Sequence, residues 1–206
     1  MNKYLNTEDK KEIKKAIDKI ESKSSAEIVV AVTDSISSSK FILFLYSLIF
    51  TAIVAFALLG TLFENDYKLV AEFSIVIFLF AFFSLLYNPY TYKIVPKSIK
   101  RTRCDDFALY QFKKLGIDKT SSHKAILIFI CQRERFIRIV ADKQIDDIVP
   151  DDTWQKIVSQ FISQAKDGQM AKGVLHVVEN CGKILTEKFP KVGQNRDELD
   201  NDVIEV

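Results

Sequence analysis

The sequence is short of most residues that build common catalytic and scaffold chemistry. It has three cysteines, six glycines, four prolines, two histidines and one tryptophan in 206 residues. Cys104, Cys131 and Cys181 are odd in number and show no Cys-x-x-Cys spacing, which argues against a disulfide framework or a conventional zinc site. Each sits in an apolar pattern and reads as a buried free thiol. There is no Gly-rich phosphate loop, EF-hand loop or DxDx(T/V)-type nucleophile pattern. His123, just before a strand, and His176, inside a helical pattern, read as structural or surface residues rather than a proton relay. The net charge is +2, so bulk electrostatics offers no case for nucleic-acid binding.

What the chain has in excess is apolar aromatic sequence in one place. Of its 16 Phe, 10 fall between positions 41 and 83. Phe41–Phe63 is free of charge, and so is Phe73–Tyr87. A ~30 Å hydrocarbon core takes ~20 helical residues to cross. The first run meets that length alone, and the second meets it when it starts at Leu69. Glu72 then lies near a helix end, where a carboxylate can sit among headgroups. The connection Glu64–Lys68 is short enough to make the pair antiparallel. Residues 41–87 are therefore predicted to be a transmembrane hairpin, with helices at about 41–63 and 69–87. A signal peptide is excluded, because a charged helix and a strand precede the run.

Charge sets the expected orientation. The hairpin loop and its edges carry Glu64, Asp66 and Glu72 against Lys68, whereas Lys40, Lys93, Lys97, Lys100, Arg101 and Arg103 flank the other side. Basic residues stay cytoplasmic. The reading is an integral protein of the bacterial cytoplasmic membrane, with both termini inside and loop 64–68 outside. Lys97, Lys100, Arg101 and Arg103 form a membrane-facing basic cluster that fixes orientation and meets anionic lipid.

The remaining segments predict a small α/β domain. Residues 8–22 place Ile13, Ala16, Ile17 and Ile20 on one stripe of a Lys-rich helix, capped by Asn6 or Thr7, with the lysines solvated. Ala26–Thr33 reads as a strand. Helix 97–115 lines up Cys104, Phe107, Ala108, Gln111, Phe112 and Leu115, and Gly116 stops it. Lys124–Cys131 is a nearly continuous apolar run, which predicts a strand buried on both faces. Gln132–Arg135 turns the chain into a second strand, Phe136–Ala141. Pro150-Asp151-Asp152 opens a helix whose stripe includes Trp154 as a core residue. Gly168 separates it from a last helix, 170–188, stopped by Pro190. The expected architecture is a small mixed sheet flanked by helices. Residues 1–36 and 95–190 are its two parts, the hairpin interrupts it, and 191–206 is a flexible acidic tail.

Several segments carry a resemblance beyond these patterns. They are AEIVVAVTDS (26–35), AILIFICQRERFIRIVADKQID (125–146), VPDDTWQKIVSQFI (149–162) and GQMAKGVLHVVENCGKILTEKFP (168–190), with the acidic end DELDNDVIEV (197–206). Their order and spacing resemble the TPM domain family, found in a thylakoid lumen protein, a photosystem II repair protein and a nematode acetylcholine-receptor modulator. They resemble most the bacterial membrane branch, in which a two-helix hairpin follows the first strand. The resemblance implies an α/β sandwich. It also implies one of two roles, since some TPM domains bind calcium or show acid phosphatase activity and others are accessory factors for membrane complexes. Gly173 matches a family glycine, and Asp151 or Asp152 matches the family's helix-opening Asp. Ala141-Asp142-Lys143 stands where the secreted branch has a glycine pair, which weakens a backbone-lined site there.

Two function classes follow. One is a non-catalytic accessory protein that binds other membrane proteins. The other is a divalent-metal-dependent phosphatase. Asp34 and Asp142 each follow a strand, and with Asp146, Asp147 or Asp151 they could hold Ca²⁺ or Mg²⁺ if the strand ends coincide. The alternative makes Asp151 or Asp152 a helix N-cap and leaves the other acids solvated. The residues do not indicate an oligomeric state.

Overall fold

A computed structural model describes residues 5–36, 40–61, 66–88, 94–191 and 198–206. The chain divides into two compact units, one of residues 1–36 with 101–206 and the other of residues 37–100.

The first unit is built on a four-stranded sheet. Its strands are β1 (Glu27–Thr33), β2 (Ala125–Cys131), β3 (Phe136–Ala141) and β4 (Ile204–Glu205), in the order β3-β2-β1-β4. β1 runs parallel to β2, pairing Glu27 with Ala125 through to Thr33 with Cys131. β2 and β3 form the antiparallel hairpin expected from the sequence, with Ile126 opposite Ala141 and Cys131 opposite Phe136. Every residue of β1 and β2 is buried. That is the physical meaning of their unbroken apolar runs: side chains alternate between two covered faces.

One face carries Ile28, Val30, Val32, Ile126, Ile128 and Ile130. It packs on α1 (Thr7–Glu21) and on two C-terminal helices, Asp151–Lys166 and Met170–Lys188. Trp154 is part of this core, as expected. The other face carries Val29, Ala31, Leu127, Phe129 and Cys131. It packs on Cys104, Ala108 and Phe112, a stripe at four-residue spacing on the helix Lys97–Lys114. The sheet thus lies between two helical layers, the α/β architecture read from the sequence.

Local signals act as anticipated at most ends. Asn6 caps α1 in a capping box with Asp9, through a 2.7 Å bond to the Asp9 amide and a 2.8 Å return bond. Gly116 and Gly168 have φ of 70° and 78°, the left-handed conformation that ends a helix and that glycine adopts without strain. One cap differs. Pro150, not Asp151 or Asp152, occupies the N-cap position of helix 151–166, and it makes no side-chain cap hydrogen bond.

The C-terminal segment differs more. The acidic tail was expected to be flexible, yet over residues 198–206 it is docked. Ile204 and Glu205 pair with Ala31 and Val32 as β4, and the Val206 amide bonds to Val32 O at 3.1 Å. Its acids meet the lysine face of α1: Lys14 Nζ bonds to Asp202 at 2.6 Å, and Lys10 pairs with Glu205. Asp202 holds the Lys14 ammonium above its ordinary pKa. Composition concealed this, because the segment contributes few large side chains and docks through strand pairing and charge. Residues 192–197 of the tail lie outside the described residues.

The second unit is a helical pair, α2 (Lys40–Thr61) and α3 (Tyr67–Tyr87). Both are long and apolar enough to cross a membrane. Asp66 caps α3 by accepting from the Leu69 amide at 3.2 Å. The helices meet through aromatic edges, with Phe44 5.4 Å from Phe78 and 6.0 Å from Phe82. Ser47, Thr51 and Ser74 each donate 2.8 Å bonds to carbonyls four residues earlier. Their hydroxyls are therefore satisfied without water.

Candidate functional site

The topology separates the carboxylates that the sequence brought into question. β1 and β2 are parallel and β3 is antiparallel to β2. Asp34 therefore leaves β1 beside the C-terminal end of β2, where Arg133 N bonds to Asp34 O at 2.9 Å. Asp142 leaves β3 at the opposite end, where its amide bonds to Ala125 O at 2.9 Å. A seven-residue strand lies between them, roughly 20 Å at 3.3 Å per residue. Asp142 instead caps the short helix α5 (Lys143–Asp146), its Oδ1 accepting from the Lys143 amide at 2.7 Å. Its Oδ2 is buried without a hydrogen-bond partner, 3.7 Å from His123 Nδ1. Asp146 points to solvent, and the Asp151 side chain lies outside the described residues. A hard cation needs six to eight converging oxygens. Asp34 and Asp142, at opposite ends of β2, do not converge on one Ca²⁺ or Mg²⁺.

The basic cluster is on one element, the first two turns of α4 (Lys97–Lys114). Lys97 and Arg101 are exposed, Arg103 is half-buried and Lys100 is buried, so the four are not a uniform charged face. His176 is engaged locally, with Nδ1 2.7 Å from Gln164 Nε2.

A different constellation stands at the C-terminal end of β1 and β2. Among the described residues, Cys104, Cys131 and Glu134 are the group whose potential ligand atoms all lie within 4.8 Å of one another. They arrive from three elements. Cys104 is on the sheet-facing stripe of α4, Cys131 is the last residue of β2, and Glu134 is in the turn before β3. The turn is pinned to the end of β1 by Gln132 N to Thr33 O at 3.0 Å and by the Arg133 bond to Asp34. Arg135 closes it with φ of 49°. The Cys131 thiol donates to Glu134 Oε2, while Ser35 Oγ donates to Glu134 Oε1 at 3.0 Å. Cys104 and Cys131 are 1% and 0% exposed, and Glu134 is half-buried. The Cys131 thiol is driven far above the ordinary thiol range, first by hydrogen bonding with Cys104, then by burial, then by Glu134.

The sequence reading treated the three cysteines separately and missed this group. Cys181 is indeed isolated and buried among apolar residues. The available signal was weak: a Cys-x-x-Glu across a predicted turn, and a Cys on a predicted sheet-facing helix stripe. Which stripe meets which strand end is a tertiary fact.

The class of protein is now defined as a three-layer α/β domain interrupted after its first strand by an apolar helical hairpin. Residues 92–184 match the family model of the TPM domain. That span takes in the helices, turn and strands from α4 to most of helix 170–188. In three dimensions the chain is similar to the NMR structure of the BA42 protein from the psychrophilic bacterium Bizionia argentinensis. The TM-score is 0.63 at 20% identity, over 100% of this chain and 98% of that one. At that identity the likeness concerns the fold. No curated protein matches the chain.

Proposed function

We propose that this is a membrane-embedded TPM-domain accessory protein, which acts by contact with other membrane proteins rather than by hydrolysis. The observation that carries the reading is the outward apolar surface of the hairpin. Only 22% of the apolar stretch of α2 and 6% of that of α3 is buried, and Phe56 and Phe80 are 82% and 77% exposed. Helices at the heart of a soluble protein are covered by their neighbours, whereas these present rings where hydrocarbon would solvate them.

Charge supports the orientation. Lys97, Arg101 and Arg103 follow the hairpin, and Asp66 and Glu72 sit at its loop end, so the α/β domain and both termini belong in the cytoplasm and loop 64–68 outside. The basic residues of α4 are suited to anionic headgroups. The placement of Asp34 and Asp142 at opposite ends of β2 argues against a joint carboxylate site and leaves the metal-dependent phosphatase reading resting on the family resemblance.

Two experiments test this. The purified full chain should hydrolyse p-nitrophenyl phosphate no faster with Mg²⁺ or Ca²⁺ than with chelator. A metal-dependent rate abolished by Asp142→Ala would reinstate the hydrolase. A photocrosslinking residue at Phe80 in native membranes should give discrete protein adducts as well as lipid adducts. Lipid adducts alone would refute the accessory reading.

A further inference from the structure

We propose that Cys104, Cys131 and Glu134 form a binding site for one zinc-class divalent cation, which ties α4 to the C-terminal edge of the sheet. The donor set selects the metal class. Two sulfurs and one carboxylate oxygen suit Zn²⁺, which takes Cys and Asp/Glu ligands in tetrahedral geometry, whereas Ca²⁺ and Mg²⁺ prefer all-oxygen shells. Three protein ligands leave the fourth corner for a water, and the half-buried side of Glu134 is the route by which it enters.

The site is built rather than accidental in three respects. Its donors are already within 4.8 Å of one another, so little rearrangement separates them from a shared ion. They come from a helix, a strand end and a turn, each held by its own backbone bonds, so the cage is not one mobile loop. Glu134 has an outer partner: the Ser35 hydroxyl occupies Oε1 and leaves Oε2 directed at the Cys131 sulfur. Metal-binding carboxylates are typically oriented in this way.

Binding has a defined proton balance. The two thiols bind as thiolates, so one cation enters and two thiol protons leave. The hydrogen bonds that now link Cys104, Cys131 and Glu134 are the contacts the ion would replace.

Co²⁺ is the probe, added to the reduced full chain in detergent with a non-thiol reductant. The expected result is one equivalent of tetrahedral Co²⁺ with a thiolate-to-cobalt charge-transfer band, displaced by Zn²⁺ and unaffected by Ca²⁺. Cys104→Ser and Cys131→Ser should each lose the band, and Cys181→Ala should keep it. Glu134→Gln lies in a half-exposed turn and should fold. It should weaken binding by at least the ~10–100-fold typical of an outer-sphere partner. Absence of the band in the wild-type chain, or its survival in Cys104→Ser, would overturn the site. Far-ultraviolet circular dichroism separates a lost ligand from a lost fold. This result is independent of the partner and hydrolysis experiments, since a structural ion serves either role.

Discussion

The Ser35 hydroxyl donates a 3.0 Å hydrogen bond to Glu134 Oε1, joining the residues just after β1 to the turn between β2 and β3. The same carboxylate accepts from Cys131 through its other oxygen. Glu134 therefore has one oxygen fixed and one turned toward sulfur. Ser35→Ala should leave the fold intact and weaken Co²⁺ binding by about 10–100-fold, the usual effect of removing a group that orients a ligand. A Co²⁺ titration of the full chain checks this, and an unchanged affinity would mean that Ser35 does not orient Glu134.

Gly182 lets α1 approach the last helix, α7 (Met170–Lys188). A Cβ added there would lie 2.3 Å from Ile20 Cδ1 and 2.5 Å from Ile20 Cγ1. Gly182→Ala should cost about 1–3 kcal/mol in overpacking, against a gain of about 1 kcal/mol in helix propensity. The expected net effect is a loss of stability. Ile20→Ala alone should also destabilise, but the double variant should be more stable than the two losses predict by addition. Thermal unfolding of the four chains reads the coupling, and strict additivity would contradict the close approach.

The docked C-terminus should contribute to the domain's stability. Ile204 packs on the sheet face of Val29, Ala31 and Leu127. Ile204→Asp should cost about 1–2 kcal/mol, less than the value for burying a whole isoleucine because this one is half-buried. Hydrogen exchange should quicken at the β1-pairing amide of Val206, while the β2–β3 hairpin keeps its protection. Equal exchange in both chains would mean that the segment is not held on β1.

Alkaline pH should destabilise the domain through its buried thiols. Burial raises Cys181 far above the ordinary thiol value of 9.0, so the folded state retains a proton that the unfolded state releases. Stability from this group is fully present below pH 9.0 and declines as pH rises beyond it, by about 1.4 kcal/mol per unit. Cys181→Ala should unfold at lower temperature at pH 7.5 but lose less on going to pH 10.5. Identical slopes for the two chains would be evidence against a buried neutral thiol.

Topology has a direct check. A membrane-impermeant thiol reagent applied to whole cells should label Lys68→Cys, at the loop end of the hairpin, and leave Lys166→Cys unlabelled until the membrane is opened. The opposite pattern would place the α/β domain outside.

Local chemistry carries much of the fold. Uninterrupted β-branched and apolar runs specified β1 and β2 as strands covered on both faces. Stripes at helical spacing specified α1 and the C-terminal helices, and Gly116 and Gly168 marked two helix ends. The hairpin was legible because two apolar helices of 22 and 21 residues match the length that crosses a bilayer. The docked tail was not legible. Its contacts are backbone pairing to β1 and ion pairs to α1, neither of which leaves an apolar pattern in residues 198–206.

The candidate site shows the same division more sharply. From sequence, Asp34 and Asp142 look equivalent, each an acid after a strand. Only pairing direction tells them apart: parallel β1 and antiparallel β3 send them to opposite ends of β2. Conversely, nothing local links Cys104 to Cys131. A helix stripe supplies one and a strand end the other, and the crossover required by parallel strands lays that stripe over that end. The sequence by itself therefore determined the elements, their buried faces and the apolar hairpin, because these depend on short-range periodicity and length. The tertiary structure alone decided which acids are apart and which thiols are together, because strand direction and helix placement are relations between segments distant in the chain.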